Sequence, residues 1–247
     1  MKQTRLMMDM PITIEIADPA APEGAAEPAF AFFAWVDATF SPYRSDSEIS
    51  QINDGRLTLA QASEPMRAIF QLAEKTREDT RGYFDIRRGE RFEPSGIVKG
   101  WAIHNAALLL RRQGYANLSV DAGGDIQVCG ASPDGGPWRV GIRNPFEPNT
   151  SVKTLALTEC GVATSGTYFR GEHIYNPLRA GPLVGGVASL TVIGPNVYEA
   201  DRFATAAFAM GAQGVDFVEG LEGFEAYQID TAGVATLTTG FTRYVAP

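Results

Sequence analysis

The sequence predicts an α+β fold, a single compact domain in which mixed, largely antiparallel sheets pack against helices. Two observations predict this class. Segments with apolar residues at helical spacing are interspersed with β-rich segments along the whole chain. No long linker or break in composition divides the 247 residues, and a hydrophobic content of 45 % is enough for a sizeable core. We therefore interpret residues 1–247 as one domain.

The first half of the chain contains one predicted strand and three predicted helices. Isoleucines alternate with polar residues over 12–16, which is typical of a half-buried strand. A helix over about 29–40 ends before Pro42, because the residue that precedes a proline avoids the helical conformation. A second helix begins after Ser63, a favoured N-cap, and a third covers about 99–113.

The second half contains mainly predicted strands. A helix over about 198–210 is followed by Gly211, a common helix C-cap, and residues 225–245 are rich in β-branched residues, which favour strands. The other predicted strands cover 118–120, 138–142, 152–157 and 187–193.

Composition excludes several classes of protein. A net charge of −8 argues against a nucleic-acid-binding protein, and no run of about 18 apolar residues is present to span a membrane. The first residues lack the apolar segment of a secretory signal, so we expect a cytoplasmic protein, or a periplasmic one if a leader has been removed. Cys129 and Cys160 are too few for a disulfide scaffold and are expected to be small core residues.

One helix carries a pair of oxygen-bearing side chains that could bind a metal. Asp201 and Thr205 are four residues apart and therefore lie on one helical face. A carboxylate beside a hydroxyl suits Mg²⁺, which takes few protein ligands. In the alternative interpretation, Asp201 stabilises the first helical turn and Thr205 bonds to the helix backbone.

Three other features have both a chemical and a structural interpretation. Gly123-Gly124 could bind a phosphate through exposed N–H groups or form a tight turn. Lys99 begins a helix and could face an anion. His173 could act as a base, although a lone histidine is more often structural, and His104 is interpreted as structural.

Taken together, eight segments form an ordered pattern that is more specific than any one of them. They are 8–11, 40–50, 82–85, 96–102, 121–125, 164–167, 173–177 and 199–205. In this order they resemble the ApbE family of FAD:protein FMN transferases along the whole chain.

The resemblance implies a Mg²⁺-dependent enzyme that cleaves the pyrophosphate of FAD, attaches FMN to a Ser or Thr hydroxyl of an acceptor protein and releases AMP. It implies metal ligands at Asp201, Thr205 and the Gly96 carbonyl, with His173 and Asp201 as catalytic residues. The residues that it implies for FAD contact are Met8, Tyr43, Tyr83, Phe84, Asp85, Glu93, Lys99 and Tyr175.

The chain also departs from the family pattern. Glu93 and Asn176 stand where members usually carry Asp, and His104 replaces another Asp. Asp85 and Gly96 are close in sequence, whereas typical members insert several tens of residues between these positions. Two alternatives to the transferase therefore stay open: an FAD pyrophosphatase that yields FMN and AMP, and a non-catalytic FAD-binding protein.

Overall fold

A computed structural model describes residues 1–147, 149–166, 175–179 and 186–247. The strands in these ranges are β1 (Lys2–Met7), β2 (Met10–Ile16), β3 (Arg87–Arg88), β4 (Arg91–Phe92), β5 (Leu118–Ala122), β6 (Asp125–Cys129), β7 (Trp138–Arg143), β8 (Ser151–Leu157), β9 (Cys160–Gly166), β10 (Val187–Gly194), β11 (Glu225–Asp230) and β12 (Ala235–Leu237). The α-helices are α1 (Glu27–Phe40), α2 (Glu48–Asn53), α3 (Glu64–Asp79), α4 (Ser95–Arg112), α5 (Val197–Met210) and α6 (Gly214–Glu219). Short 3₁₀ helices cover Leu59–Gln61, Gly211–Gln213 and Phe241–Tyr244.

Eight strands form the main sheet in the order β1-β2-β5-β6-β9-β10-β11-β12. Every neighbouring pair in this sheet is antiparallel. Strands β7 and β8 form a separate hairpin, and β3 and β4 form a very short one. The predicted α+β class with largely antiparallel sheets is therefore confirmed, while the interpretation of residues 1–247 as one domain stays a prediction.

Helices cover one face of the first half of the sheet. Ile12, Ile14 and Ile16 of β2 are fully buried in a core that α1, α3 and α4 share. Burying one such side chain contributes roughly 1.5–3 kcal/mol, an upper value because the unfolded chain is itself partly compact. The alternation of these three residues therefore fixes which face of β2 meets the helices.

The second half of the sheet is covered on both faces. Val162 packs in one core with the β7–β8 hairpin, whereas its neighbour Ala163 packs in another with α5 and α6. Successive strand residues point to opposite faces, so the hairpin and the helices lie on opposite sides of β9. No helix in the described ranges is both long and apolar enough to span a bilayer.

Several predicted boundaries were wrong. The third predicted helix begins at Ser95 rather than near 99, and strand β1 was not predicted. Strands β6 and β9 and the short helices α2 and α6 were also missed, and the predicted β-rich tail includes the 3₁₀ helix Phe241–Tyr244. The second predicted helix does begin after Ser63, whose hydroxyl accepts the Met66 N–H at 3.3 Å.

Two tight turns lie side by side at one end of the main sheet. Met8 and Asp9 connect β1 to β2 with φ values of 52° and 58°, and Gly123 and Gly124 connect β5 to β6 with 65° and 98°. Positive φ at both central residues is typical of a type I′ hairpin turn. Because β2 and β5 are antiparallel neighbours, both turns fall at the same end, where the cleft described below opens.

Candidate active site

A cleft of about 940 Å³ opens at this end of the sheet. Its volume is near the upper end of the range for small-molecule and cofactor sites. His173 lies outside the described residues. The other predicted site residues all line the cleft: Met8, Tyr43, Tyr83, Phe84, Asp85, Glu93, Gly96, Lys99, Tyr175, Asp201 and Thr205.

The floor of the cleft is the contact between α4 and α5. A Cβ added to Gly100 would lie 2.7 Å from Asp201 Cβ, and one added to Gly96 would lie 3.7 Å from Thr205 Cγ2. Each helix therefore contributes two residues four apart, and the glycines of α4 face the polar pair of α5. The absence of a side chain at Gly100 allows the two helices to approach this closely.

Asp201 is almost completely buried, with 3 % of its surface exposed. Its Oδ2 accepts a hydrogen bond from the Gly100 N–H at 2.9 Å, and its Oδ1 lies 3.6 Å from Lys99 Nζ. Burial raises the pKa of Asp201 to about 7, although the nearby Lys99 ammonium opposes this shift. The carboxylate is therefore costly to ionise unless another cation compensates its charge.

The structural alternative for Asp201 is wrong. The N-terminus of α5 is capped by Asn196, whose Oδ1 accepts the Glu199 N–H at 3.0 Å. Asp201 lies beyond the first turn, and its carboxylate bonds to α4 rather than to its own helix. Stabilisation of its own first turn therefore does not explain this residue.

A second buried carboxylate belongs to the site and was missed from the sequence. Asp125 at the start of β6 has 2 % of its surface exposed, and its Oδ1 accepts the Thr164 N–H at 3.0 Å. Its Oδ2 contacts Lys99 Nζ as an ion pair without a well-directed hydrogen bond. Lys99 thus lies between Asp125 and Asp201. The signal that could have revealed Asp125 is an acidic residue at the start of a buried strand, directly after a turn.

The proposed phosphate cradle at Gly123-Gly124 is wrong, and the tight-turn alternative is right. The Gly123 N–H donates to the Pro11 carbonyl at 3.1 Å, and the Gly124 N–H donates to Asp121 Oδ1 at 2.9 Å. Both donors are therefore already used inside the protein. The turn serves instead to bring β6, and with it Asp125, to the cleft.

One wall of the cleft is held together by hydrogen bonds among the predicted FAD-contact residues. The Tyr175 hydroxyl lies 2.9 Å from the Asp85 carbonyl and 2.7 Å from the Arg87 carbonyl. Burial raises the pKa of Tyr175, so its phenol stays protonated and can donate to one of these oxygens. Glu93 accepts the Ser95 N–H at 3.2 Å and so caps the beginning of α4.

The rim of the cleft carries an unusually exposed aromatic side chain. Tyr43 has 81 % of its surface exposed. A large aromatic side chain in this position offers a ring face on which a planar ligand could stack. Met8, which also lines the cleft, adopts a left-handed backbone conformation, which is uncommon for a residue with a long side chain.

Two of the departures from the family pattern have a structural explanation. Asn176 Nδ2 donates to the Ala209 carbonyl at 3.2 Å, while its Oδ1 accepts the Leu178 N–H at 2.9 Å. A carboxylate could not make the first of these bonds, because it has no hydrogen to donate. Burial lowers the pKa of His104, which fits a neutral, structural side chain. The short stretch between Asp85 and Gly96 forms the β3–β4 hairpin.

The donor set at the floor of the cleft fits a hard divalent cation. No group of three or more His, Cys, Asp or Glu side chains suited to a metal is found in the described part of the chain. A Mg²⁺ site needs fewer charged ligands, because waters and substrate phosphates complete its octahedral shell. Two buried carboxylates beside one ammonium leave a net negative charge that such a cation would balance.

The chain belongs to the ApbE family, whose family model matches residues 8–94 and 87–228. The two parts of the match meet at the β3–β4 hairpin. Over 128 residues the chain is 34 % identical to a FAD:protein FMN transferase of Vibrio cholerae. This match covers 48 % of this chain and 38 % of that protein. It is 28 % identical over 162 residues to a FAD:protein FMN transferase of Klebsiella pneumoniae, and this match covers 62 % of this chain and 45 % of that protein. The matches thus span less than half the length of these relatives.

Two solved structures have the same fold. The flavin transferase ApbE of Vibrio cholerae superposes with a TM-score of 0.85 at 22 % identity, covering 99 % of this chain and 98 % of that one. The ApbE protein of Thermotoga maritima superposes with a TM-score of 0.84 at 20 % identity, covering 100 % and 99 %. The eight-stranded sheet and its flanking helices are therefore the fold of this family.

Proposed function

We propose that the protein is a Mg²⁺-dependent FAD:protein FMN transferase. It cleaves the pyrophosphate of FAD, attaches FMN to a Ser or Thr hydroxyl of an acceptor protein and releases AMP. Membership of the ApbE family and the names of the relatives support flavin transfer. The observation that carries the proposal is the arrangement of Asp201 and Thr205 opposite Gly96 at the floor of a cofactor-sized cleft.

The metal ligands in this proposal are the Asp201 carboxylate, the Thr205 hydroxyl and the Gly96 carbonyl. When bound, Mg²⁺ supplies positive charge that stabilises the pyrophosphate oxygens as a phosphorus–oxygen bond breaks. The hydrogen bond from Gly100 to Asp201 holds that carboxylate toward α4. Asp201 is therefore oriented before any ligand binds, which lowers the cost of assembling the site.

The remaining residues bind and orient FAD. The Lys99 ammonium provides a further positive charge at the floor of the cleft, close to where the pyrophosphate would lie. Tyr43 and Tyr83 provide aromatic surface for the isoalloxazine or adenine ring. The hydrogen bonds of Tyr175 and Glu93 hold one wall of the cleft in place, so the substrate meets a preformed surface.

The transfer step requires a base for the acceptor hydroxyl. We keep His173 as the candidate, because a neutral imidazole can take this proton near pH 7. The hydroxyl oxygen then bonds to the FMN phosphorus, the bond from that phosphorus to the bridging oxygen breaks, and AMP leaves with the electron pair.

The test is incubation with FAD, Mg²⁺ and an acceptor protein that carries the family-type Ser or Thr target. Flavin fluorescence on the denatured acceptor, together with one AMP per flavin attached, is the expected result. An acceptor whose target is replaced by Ala is the control. AMP and FMN without a labelled acceptor would identify the pyrophosphatase instead, and FAD binding without AMP would identify a binding protein.

A further inference from the structure

Lys99 is shared unequally between two buried carboxylates. Its ammonium contacts Asp125 Oδ2 more closely than it approaches Asp201 Oδ1, which is 3.6 Å away. Both aspartate residues are at least 97 % buried, so Coulomb interactions between these groups are stronger than on the surface. The position of one ammonium therefore decides how much negative charge Asp201 can offer to another cation.

Asp125 is held independently of Lys99. Its Oδ1 accepts the Thr164 N–H from the neighbouring strand β9, and its backbone belongs to the β5–β6 ladder. This anchoring fixes Oδ2, the oxygen that contacts the ammonium. Asp125 thus draws Lys99 toward the sheet, whereas Asp201 extends from α5.

We propose that Asp125 is a positioning residue that holds Lys99 away from Asp201 and so keeps the Asp201 carboxylate available to a divalent cation. The inference rests on the proposed function, because it assumes that Asp201 binds the metal. Without the charge of Asp125, Asp201 carries the only negative charge of this pair, and the Lys99 ammonium shifts toward it. The ammonium then competes with the cation for the same oxygens, and metal affinity falls.

The experiment is calorimetric titration of the protein with Mn²⁺ or Mg²⁺ alone, without FAD. Asp125→Asn is expected to weaken binding about 10- to 100-fold, the usual range for partners that orient metal ligands. The amide keeps an oxygen for the Thr164 N–H, so the anchoring of the side chain survives. Asp134→Asn, in an exposed turn that does not line the cleft, removes one negative charge as a control, and a change below about threefold is expected.

The double variant Asp125→Asn/Lys99→Met separates positioning from direct ligation. Removing the ammonium removes the competitor, so the double variant is expected to regain most of the lost affinity. If Asp125 were itself a ligand, affinity would stay low in the double variant, and the inference would be overturned. Lys99→Met alone provides a second check, because its affinity should equal or exceed that of the wild type.

The outcomes distinguish this inference from the proposed function. A wild-type protein that binds neither cation overturns the metal site itself. A wild-type protein that binds while Asp125→Asn binds equally well overturns only the role of Asp125. Circular dichroism and thermal melts of each variant identify any that do not fold, and a Lys99→Met affinity below that of the wild type would still overturn the inference.

Discussion

The backbone N–H of Gly100 donates a hydrogen bond of 2.9 Å to the buried carboxylate of Asp201, across the contact between α4 and α5. In a regular helix the partner of that N–H is the carbonyl four residues earlier, which belongs to Gly96. The bond therefore holds one proposed metal ligand, Asp201, beside the turn of α4 whose Gly96 carbonyl is another. Two helices that begin about a hundred residues apart are joined at the point where the chemistry is expected.

A side chain at position 100 should disrupt this contact. We expect Gly100→Ala to lower the free energy of unfolding by about 1–3 kcal/mol, because the new Cβ would lie 2.9 Å from Asp201 Oδ2 and 3.0 Å from the Val197 carbonyl. Chemical denaturation measures the change. Gly136→Ala is the control, since a Cβ there meets nothing within 4 Å. Equal stability of the two variants would contradict the close packing of α4 and α5.

Loss of the Asp201 charge should remove turnover while preserving the fold. We expect Asp201→Asn to lower the rate of Mg²⁺-dependent AMP release by at least about 100-fold, the scale associated with losing one electrostatic group in an active site. The amide still accepts the Gly100 N–H. Asp216→Asn, at an exposed position on α6, should keep the wild-type rate. A rate within threefold of the wild type for Asp201→Asn would argue against its role.

Tyr43 should contribute to ligand binding and little to stability. Because its side chain is 81 % exposed, Tyr43→Ala should change the free energy of unfolding by less than about 0.5 kcal/mol. Loss of a stacking surface should weaken FAD binding roughly 5- to 150-fold, equivalent to about 1–3 kcal/mol. Flavin fluorescence titration measures the affinity. Phe146→Ala, at another exposed aromatic residue that does not line the cleft, should leave it unchanged.

The two thiols should be unreactive in the folded protein. Cys129 and Cys160 are buried, and burial raises both thiol pKa values, that of Cys160 to about 11. Only the thiolate reacts, and at pH 8 a pKa of 11 leaves roughly 0.1 % of the thiol ionised. Ellman's reagent should therefore label neither residue until denaturant is added, when both react. Rapid labelling of the native protein would show that one of them is accessible.

Local sequence patterns predicted those strands and helices that have one buried face and one exposed face. Strand β2 was found because its isoleucines alternate with polar residues. Strand β9 was missed because both of its faces are covered, so its small residues show no alternation. Gly161 in this strand is required by close packing that the sequence does not reveal, since a Cβ there would lie 1.9 Å from the Val197 N atom.

The same distinction applies to the site. The pair Asp201 and Thr205 could be predicted because helical geometry relates residues four apart. Asp125 could not, because its contact with Lys99 depends on how β6 is placed beside α4. The early start of α4 was missed because Gly96 has low helix propensity, although it lies inside the helix.

The separation of α4 and α5 along the chain also determines when the site can be completed during synthesis. Chains are made from the N-terminus, and N-terminal regions begin to fold first. Lys99 and Asp125 both precede residue 130, whereas Thr164, whose N–H anchors Asp125, and Asp201 are synthesised later. The proposed metal ligands therefore come together only once α5 has been made and packs against α4.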